Sequence, residues 1–246
     1  MKSKMLLKLL VAAGLGSRRR LADAIRQGRV QVNGEVTEDF LCLVNMETDT
    51  VTIDGRMVSL RCKPMVYLML NKPVGVLSTT KDDRGRKTVI DILPEEYRNL
   101  GLHLVGRLDK NSTGLLLLTN DGELTYQVTH PKFEHEREYL VFIKGKLQPD
   151  GKEEMERGIQ LDDVVTHPAV IKEVKARPPF NYSVTIHEGR KRQVRRMFEK
   201  LGHHVLALKR IRMGGLSLGN LGEGETRELT IREVKTLLLG VPSNRA

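Results

Sequence analysis

Apolar residues fall into two rhythms along this chain, one helical and one strand-like. Leu6, Leu9, Leu10 and Ala13 recur at helical spacing, and Gly14 and Gly16 end the run. Ser17 then stands where a helix N-cap belongs, which predicts a second helix over residues 18–27 with Leu21, Ala24 and Ile25 facing inward and Gly28 closing it. Residues 29–34 alternate and end on Asn33-Gly34, and residues 50–55 repeat the pattern on Asp54-Gly55, so both read as strands closing on tight turns.

The Arg-Cys-Lys-Pro run at 61–64 reads as a linker. The expected division is a small module over residues 1–62 and a larger domain over 63–246. In the larger part, strand-like runs recur at 66–70, 74–79, 115–119, 137–143, 169–174, 182–187 and 204–208. Helical spacing fills 94–99, 123–129, 151–158, 190–201 and 231–238. These elements interleave without strict alternation, and short turns join several strands. The expected class is therefore α+β, with a mainly antiparallel, mixed central sheet flanked by helices.

Residues 106–122 concentrate the candidate chemistry. A polar loop with one carboxylate, Asp109, runs into Leu115-Leu116-Leu117-Leu118, and the strand stops at Asn120-Asp121-Gly122. Four consecutive leucines imply burial on both faces, which sets Asp109 at the rim of a buried core, a favourable place for a catalytic group. A loop Asp that only caps backbone groups is the competing reading. Tyr139 alternates with apolar residues in a strand, and it reads either as a core tyrosine or as a ring that stacks on a base.

Charge narrows the partners. The net charge is +10, and residues 186–213 hold nine Lys or Arg against Glu188 and Glu199. Clustered cations displace counterions from phosphates, so nucleic acid is the leading partner; no bulky aromatic face favours a membrane. In the helix expected over 190–201, Val194, Met197, Phe198 and Leu201 form an apolar stripe. Arg192, Arg195 and Arg196 project elsewhere, toward solvent or a backbone groove, and one of them is placed to pair with Asp109. Arg18, Arg19 and Arg20 crowd a helix N-terminus, which the helix dipole disfavours and a bound phosphate would relieve; Arg26 and Arg29 lie close by.

Other classes are set aside. No run of eighteen apolar residues spans a membrane, and Lys8 with the arginines at 18–20 spoils the resemblance of the N-terminus to an export signal. Cys42 and Cys62 lack metal-ligand spacing and are too few for a disulfide framework, which suits the reducing cytoplasm. The seven histidines give no zinc pattern, Gly14-Leu15-Gly16 lacks the third glycine of a dinucleotide site, and no Walker-type loop occurs. The glycines between 213 and 225 read as turns. The expected chemistry uses neither metal nor cofactor.

Four ordered motifs then resemble one family. Lys72-Pro73-Val74-Gly75, residues 106–122, Arg137-Glu138-Tyr139 and residues 188–197 (Glu-Gly-Arg-Lys-Arg-Gln-Val-Arg-Arg-Met) resemble the ribosomal-RNA pseudouridine synthases of the Rsu/Rlu family. Residues 206–211 and 227–229 continue the match. Residues 14–19 and 28–34 resemble the small RNA-binding module shared with ribosomal protein S-four, the alpha-L motif. Met5 and Arg20 depart from that module, where an arginine and an acidic residue are usual.

The resemblance implies isomerisation of a uridine to pseudouridine: the uracil leaves its ribose, turns and rejoins through a ring carbon. It implies that Asp109 is the catalytic carboxylate, that Arg195 ion-pairs with it, and that Tyr139 packs on the base. It further implies that Leu229 is an apolar pocket wall, that Arg107 fills the gap left by the flipped nucleotide, and that Lys72 shapes the pocket floor. Arg192 and Gln193 would touch substrate, while Arg18, Arg19, Arg29, Arg190, Lys191 and Arg196 would bind RNA. The partner would be ribosomal RNA or an assembly intermediate, more in keeping with the large subunit than the small, and the protein a monomer. A non-catalytic RNA-binding assembly factor is the alternative. A glycoside hydrolase would need a second carboxylate, for which Asp82 and Asp121 are the nearby candidates.

Overall fold

The computed structural model describes residues 3–175 and 178–239. The chain divides into two compact units: Met1–Met65 with Asn99–Gly101, and Val66–Arg98 with Leu102–Ala246.

In the N-terminal unit the helices are Leu6–Ala12 and Arg18–Arg26. Ser17 caps the second, its hydroxyl accepting from the Arg20 N–H at 3.3 Å. Strands Val30–Val32 and Val51–Ile53 pair antiparallel at the centre of a four-stranded sheet. Asn33 and Gly34, then Asp54 and Gly55, all take positive φ, so both expected turns form with the geometry that hairpins favour. Leu6, Leu9, Leu10, Ile25, Val30, Val44 and Val51 fill the core.

The second unit is built on a nine-stranded sheet. Seven strands lie in the order Val170–Glu173, Tyr182–Ile186, Arg137–Ile143, Val205–Met213, Thr113–Thr119, Tyr67–Lys72 and Thr226–Glu228; Leu216–Ser217 and His103–Val105 add to it. Every pair is antiparallel except Val205–Met213 with Thr113–Thr119, so the sheet is mixed and mainly antiparallel, as expected. The four leucines are buried on both faces, each no more than 2% exposed.

Register does more than hold this sheet together. Val184, Tyr139, Arg210, Gly114 and Lys72 occupy one row across five strands. Residues opposite one another share a face, so Tyr139, Arg210 and Lys72 lie on the same side of the sheet. Met69, Leu115 and Leu117 have the other parity and form a core on the far side with the helix Ile231–Leu239, which Met213 joins beyond the register shift at Glu138/Tyr139.

One expected strand is absent. Residues 74–79 form only the isolated bridge Leu77↔Thr88. Gly75 takes φ +84 and donates its N–H to the Lys110 carbonyl, which bends the segment toward the Asp109 loop instead of along a neighbouring strand. The helix expected over 190–201 begins three residues late, as Gln193–Lys200, because Arg192 takes φ +54. Among the described residues no helix is long and apolar enough to cross a membrane.

Gly114 joins the loop to the sheet. Its φ is +100, and a Cβ there would lie 2.1 Å from the Arg210 carbonyl oxygen. Gly114→Ala is therefore expected to lower the unfolding free energy by at least about 2 kcal/mol, read by urea denaturation.

Candidate active site

Residues 106–113 lead into the strand Thr113–Thr119, and their backbone is fixed carbonyl by carbonyl. Ser78 Oγ donates to the Leu108 carbonyl at 2.7 Å and accepts from the Leu108 N–H at 3.2 Å. Lys72 Nζ donates to the carbonyls of Pro73 and Ser112, both at 2.9 Å, and to that of Lys110 at 3.4 Å. Arg195 Nη2 donates to the Asn111 carbonyl at 2.9 Å, while its Nη1 holds Val205 at 2.7 Å. Ser78, Lys72 and Arg195 are all buried. A buried cation without partners would be strongly unfavourable, and here backbone carbonyls supply the partners.

Asp109 sits in the middle of this framework with its side chain unused. Its own carbonyl closes the turn to the Ser112 N–H at 3.0 Å. Among the described residues its carboxylate accepts no hydrogen bond and has no cation within 4.0 Å. Lys72 and Arg195 nevertheless feel its charge. Burial pushes the Lys72 ammonium down to about 8, while Asp109 and then Glu223 pull it back up. Burial, with Arg192 adding repulsion, lowers Arg195, against the upward pull of Asp109 and Glu199.

Asp109 opens onto a cavity of about 610 Å³. That is ample for one nucleotide-sized group. Tyr139 and Leu208 line it, and no hydrogen bond to the Tyr139 hydroxyl occurs among the described residues. Arg210, only 2% exposed, lines it too; its Nε donates to the Leu115 carbonyl at 2.7 Å, and its Nη2 has no partner among the described residues. Arg137 adds a guanidinium that burial pushes down, held by the carbonyls of His135 and Val128. Glu188 is the other carboxylate of the lining, and its oxygens are occupied by Arg190 Nε, Gln193 Nε2 and the His167 N–H. Burial pushes Glu188 up, but these donors outweigh it and hold the carboxyl below its usual range.

A model of the family described as RNA pseudouridylate synthase matches residues 66–200, more than half of the chain, and one described as S4 domain matches residues 6–39. The chain belongs to the RNA pseudouridine synthases. It is 42% identical to Ribosomal large subunit pseudouridine synthase B of Bacillus subtilis (strain 168), over 94% of this chain and 93% of that one. It is 39% identical to an uncharacterized RNA pseudouridine synthase of Aquifex aeolicus (strain VF5), covering 95% and 93%. A solved structure, "Crystal structure of pseudouridylate synthase", superposes with a TM-score of 0.68 at 32% identity, covering 96% of this chain and 100% of that one.

Within this synthase, Asp109, Tyr139, Arg107, Arg190, Lys191, Arg192 and Gln193 converge on the cavity. Other residues expected at the site lie elsewhere. Arg195 is inside the fold, 5% exposed, and braces Asn111 and Val205 instead of forming the expected ion pair with Asp109. Lys72 lies behind the loop, in the same bracing role, and does not line the cavity. Leu229 belongs to the core on the far side of the sheet: Arg227 pairs with Met69, so Leu229 shares the parity of Met69. Leu208, two residues from Arg210 along its strand, is the leucine that faces the cavity. No sequence spacing marks Leu208 or Arg210, because only the register reveals their face.

Several expected RNA contacts are already engaged. Arg29 holds Asp54 through two bonds of 2.6 Å, and Arg196 reaches Asp162 at 2.5 Å. Arg18, Arg19, Arg107 and Lys191 are exposed without an ion pair among the described residues. Asp121 caps the helix Gly122–Thr129, accepting from Glu123 and Leu124. Asp82 is held down to about 2, first by its hydrogen bond with Arg86. Neither carboxylate is free for a second chemical role. No group of three or more His, Cys, Asp or Glu placed to hold a metal occurs among the described residues.

Lys72 yields a pH test. As an ammonium it brings three N–H donors to three carbonyls, and as an amine only two. Activity is expected to fall as pH rises through about 8, and Lys72→Met is expected to be impaired below that pH and to lack this limb. Stability moves the other way. The unfolded lysine keeps its proton up to about 10.4, so between the two values the unfolded state binds more protons. The contribution of this group to stability therefore rises with pH. Activity profiles and urea midpoints from pH 7 to 10 check both signs.

Proposed function

We propose that this enzyme converts a uridine of large-subunit ribosomal RNA to pseudouridine, with Asp109 as the carboxylate that acts on a nucleotide flipped into the cavity. The observation that carries this reading is the bare Asp109 side chain: its backbone is pinned on both sides, yet none of the described residues engages its carboxylate. Preorganisation of that kind serves a reaction and not a fold. The choice of large-subunit RNA rests on the Bacillus subtilis relative, whose name states that substrate.

The bond from ribose C1′ to uracil N1 breaks with its electron pair left on N1, the uracil turns inside the cavity, and its C5 joins C1′. C5 then gives up its proton to a general base and N1 takes one up, so that the product is an isomer of the substrate. The base must be retained and water kept from the sugar meanwhile. Tyr139 and Leu208 supply apolar surface for the ring, and Arg210 brings a guanidinium with donors to spare. Arg107, exposed at the mouth, fills the space that the flipped nucleotide leaves. Arg190, Lys191 and Arg192 hold the backbone nearby, and Arg18 and Arg19 of the N-terminal unit grip RNA phosphates. The enzyme acts as a monomer in the cytoplasm, on ribosomal RNA or an assembly intermediate, and each chain carries its own cavity with Asp109 and Tyr139.

A purely RNA-binding assembly factor would have no use for a pinned loop around a bare carboxylate. Asp109→Asn, which leaves the loop backbone untouched, is expected to fold and bind RNA as the wild type does while forming no pseudouridine. Carbodiimide treatment and primer extension, on ribosomal RNA from cells with each variant or with none, read the outcome. Loss of one large-subunit position supports the assignment. Loss of a small-subunit position instead, or pseudouridine formed by Asp109→Asn at the wild-type rate, overturns it.

A further inference from the structure

Two of the ten aromatic side chains are exposed among the described residues, and they sit together. Tyr126 is 43% exposed on the helix Gly122–Thr129, and Phe133 is 40% exposed in the 3-10 turn Pro131–Phe133. Their rings meet edge to face at 5.9 Å and 89°. The His130 ring lies 4.9 Å from Tyr126, and the Phe133 ring lies 6.3 Å from His135. Lys132 places its Nζ 4.9 Å from the Tyr126 centroid and 4.7 Å from that of Phe133. The local backbone sets this grouping: His130 Nδ1 accepts from the Lys132 N–H, and Glu134 turns the chain through φ +47.

This cluster adjoins the cavity. His130, Pro131 and His135 line it, so Tyr126 and Phe133 each stand one ring away from its wall. Arg107, Lys191 and Arg192, all exposed, supply positive charge on the same cavity. Folding alone gives no reason for two large rings to stay in water with an ammonium held over both. A partner with flat apolar faces and a negative backbone fits both features: the rings stack on a base and the ammonium meets its phosphate.

We propose that Tyr126, Phe133 and Lys132 form a stacking platform for an unpaired RNA base close to the nucleotide that enters the cavity. The site rests on the reading of the substrate as RNA and adds to it a second point of contact outside the chemistry. It fixes which nucleotide is delivered, by engaging a neighbour of the target without touching the target itself.

The test is a coupling measurement. The probe is a synthetic RNA hairpin, drawn from the large-subunit position that maps to this enzyme and labelled for fluorescence anisotropy. A set of hairpins carries a single abasic residue at each of the three positions on either side of the target. Tyr126→Ala and Phe133→Ala alter exposed side chains, and circular dichroism with thermal melting verifies that each still folds. Each is expected to bind the intact hairpin about tenfold more weakly, with the single-turnover rate at saturating enzyme unchanged. One abasic position is expected to weaken the wild type by a similar factor and to weaken the variants no further. Lys132→Gln is expected to reduce the slope of log affinity against log salt by about 0.7.

Variants that bind every hairpin as the wild type does would overturn the platform. So would abasic losses of equal size in wild type and variants at every position. Failure of the functional reading looks different: the wild type would form no pseudouridine on the hairpin, whatever the binding coupling shows.

Discussion

The structure depends on how the carbonyls around Asp109 are held. Leu108, Lys110, Asn111 and Ser112 each offer a carbonyl oxygen to a buried donor, from Ser78, Lys72 or Arg195. Two of those donors are cations, whose burial is tolerable only because the carbonyls receive them. Loop and cations therefore need one another, and neither is stable in place without the other. Asp109 is left with a fixed backbone and a carboxylate that no described residue engages. Rigid support joined to a free reactive group is what positioning catalysis requires.

The sheet extends this constraint to the cavity. Because Tyr139, Arg210, Gly114 and Lys72 share one row, the register that closes the sheet also places the aromatic wall, the buried guanidinium and the loop brace on one side. Gly114 permits the single parallel pairing to approach closely enough for this. Tyr139, Arg210 and Asp109 come from segments far apart in sequence, yet none depends on a flexible loop for its relation to the others.

Much of this was legible in the sequence where the signal was local. Ser17, Asn33-Gly34 and Asp54-Gly55 act through their immediate neighbours, and Leu115 to Leu118 announce their own burial. Asp109 stood out by its position between a polar loop and that run. Sequence spacing failed where a distant partner decides the outcome. Residues 74–79 have strand composition but bend to serve the Asp109 loop, and Arg192 leaves the helix through a left-handed φ that no periodicity signals. Leu229 and Leu208 look equivalent as leucines, and only the pairing register sends one to the core and the other to the cavity.

The cationic stretch teaches the same lesson about charge. Of its nine Lys and Arg, Arg195 and Arg210 are buried among carbonyls, and Arg212 bridges Glu136 and Glu138 at 2.9 Å each. Clustered charge pointed correctly toward RNA, but part of it stabilises the catalytic unit from within, and a smaller set of cations stays exposed. The most direct measurement of the account is a crystal structure with an RNA whose target nucleotide occupies the cavity. The expected result keeps the backbone of residues 108–112 within about 1 Å of its free position, with Lys72, Ser78 and Arg195 in their present contacts and the Asp109 carboxylate against the nucleotide's sugar. A loop that rearranges to admit the nucleotide, or an Asp109 turned away to pair with Arg195, would contradict it.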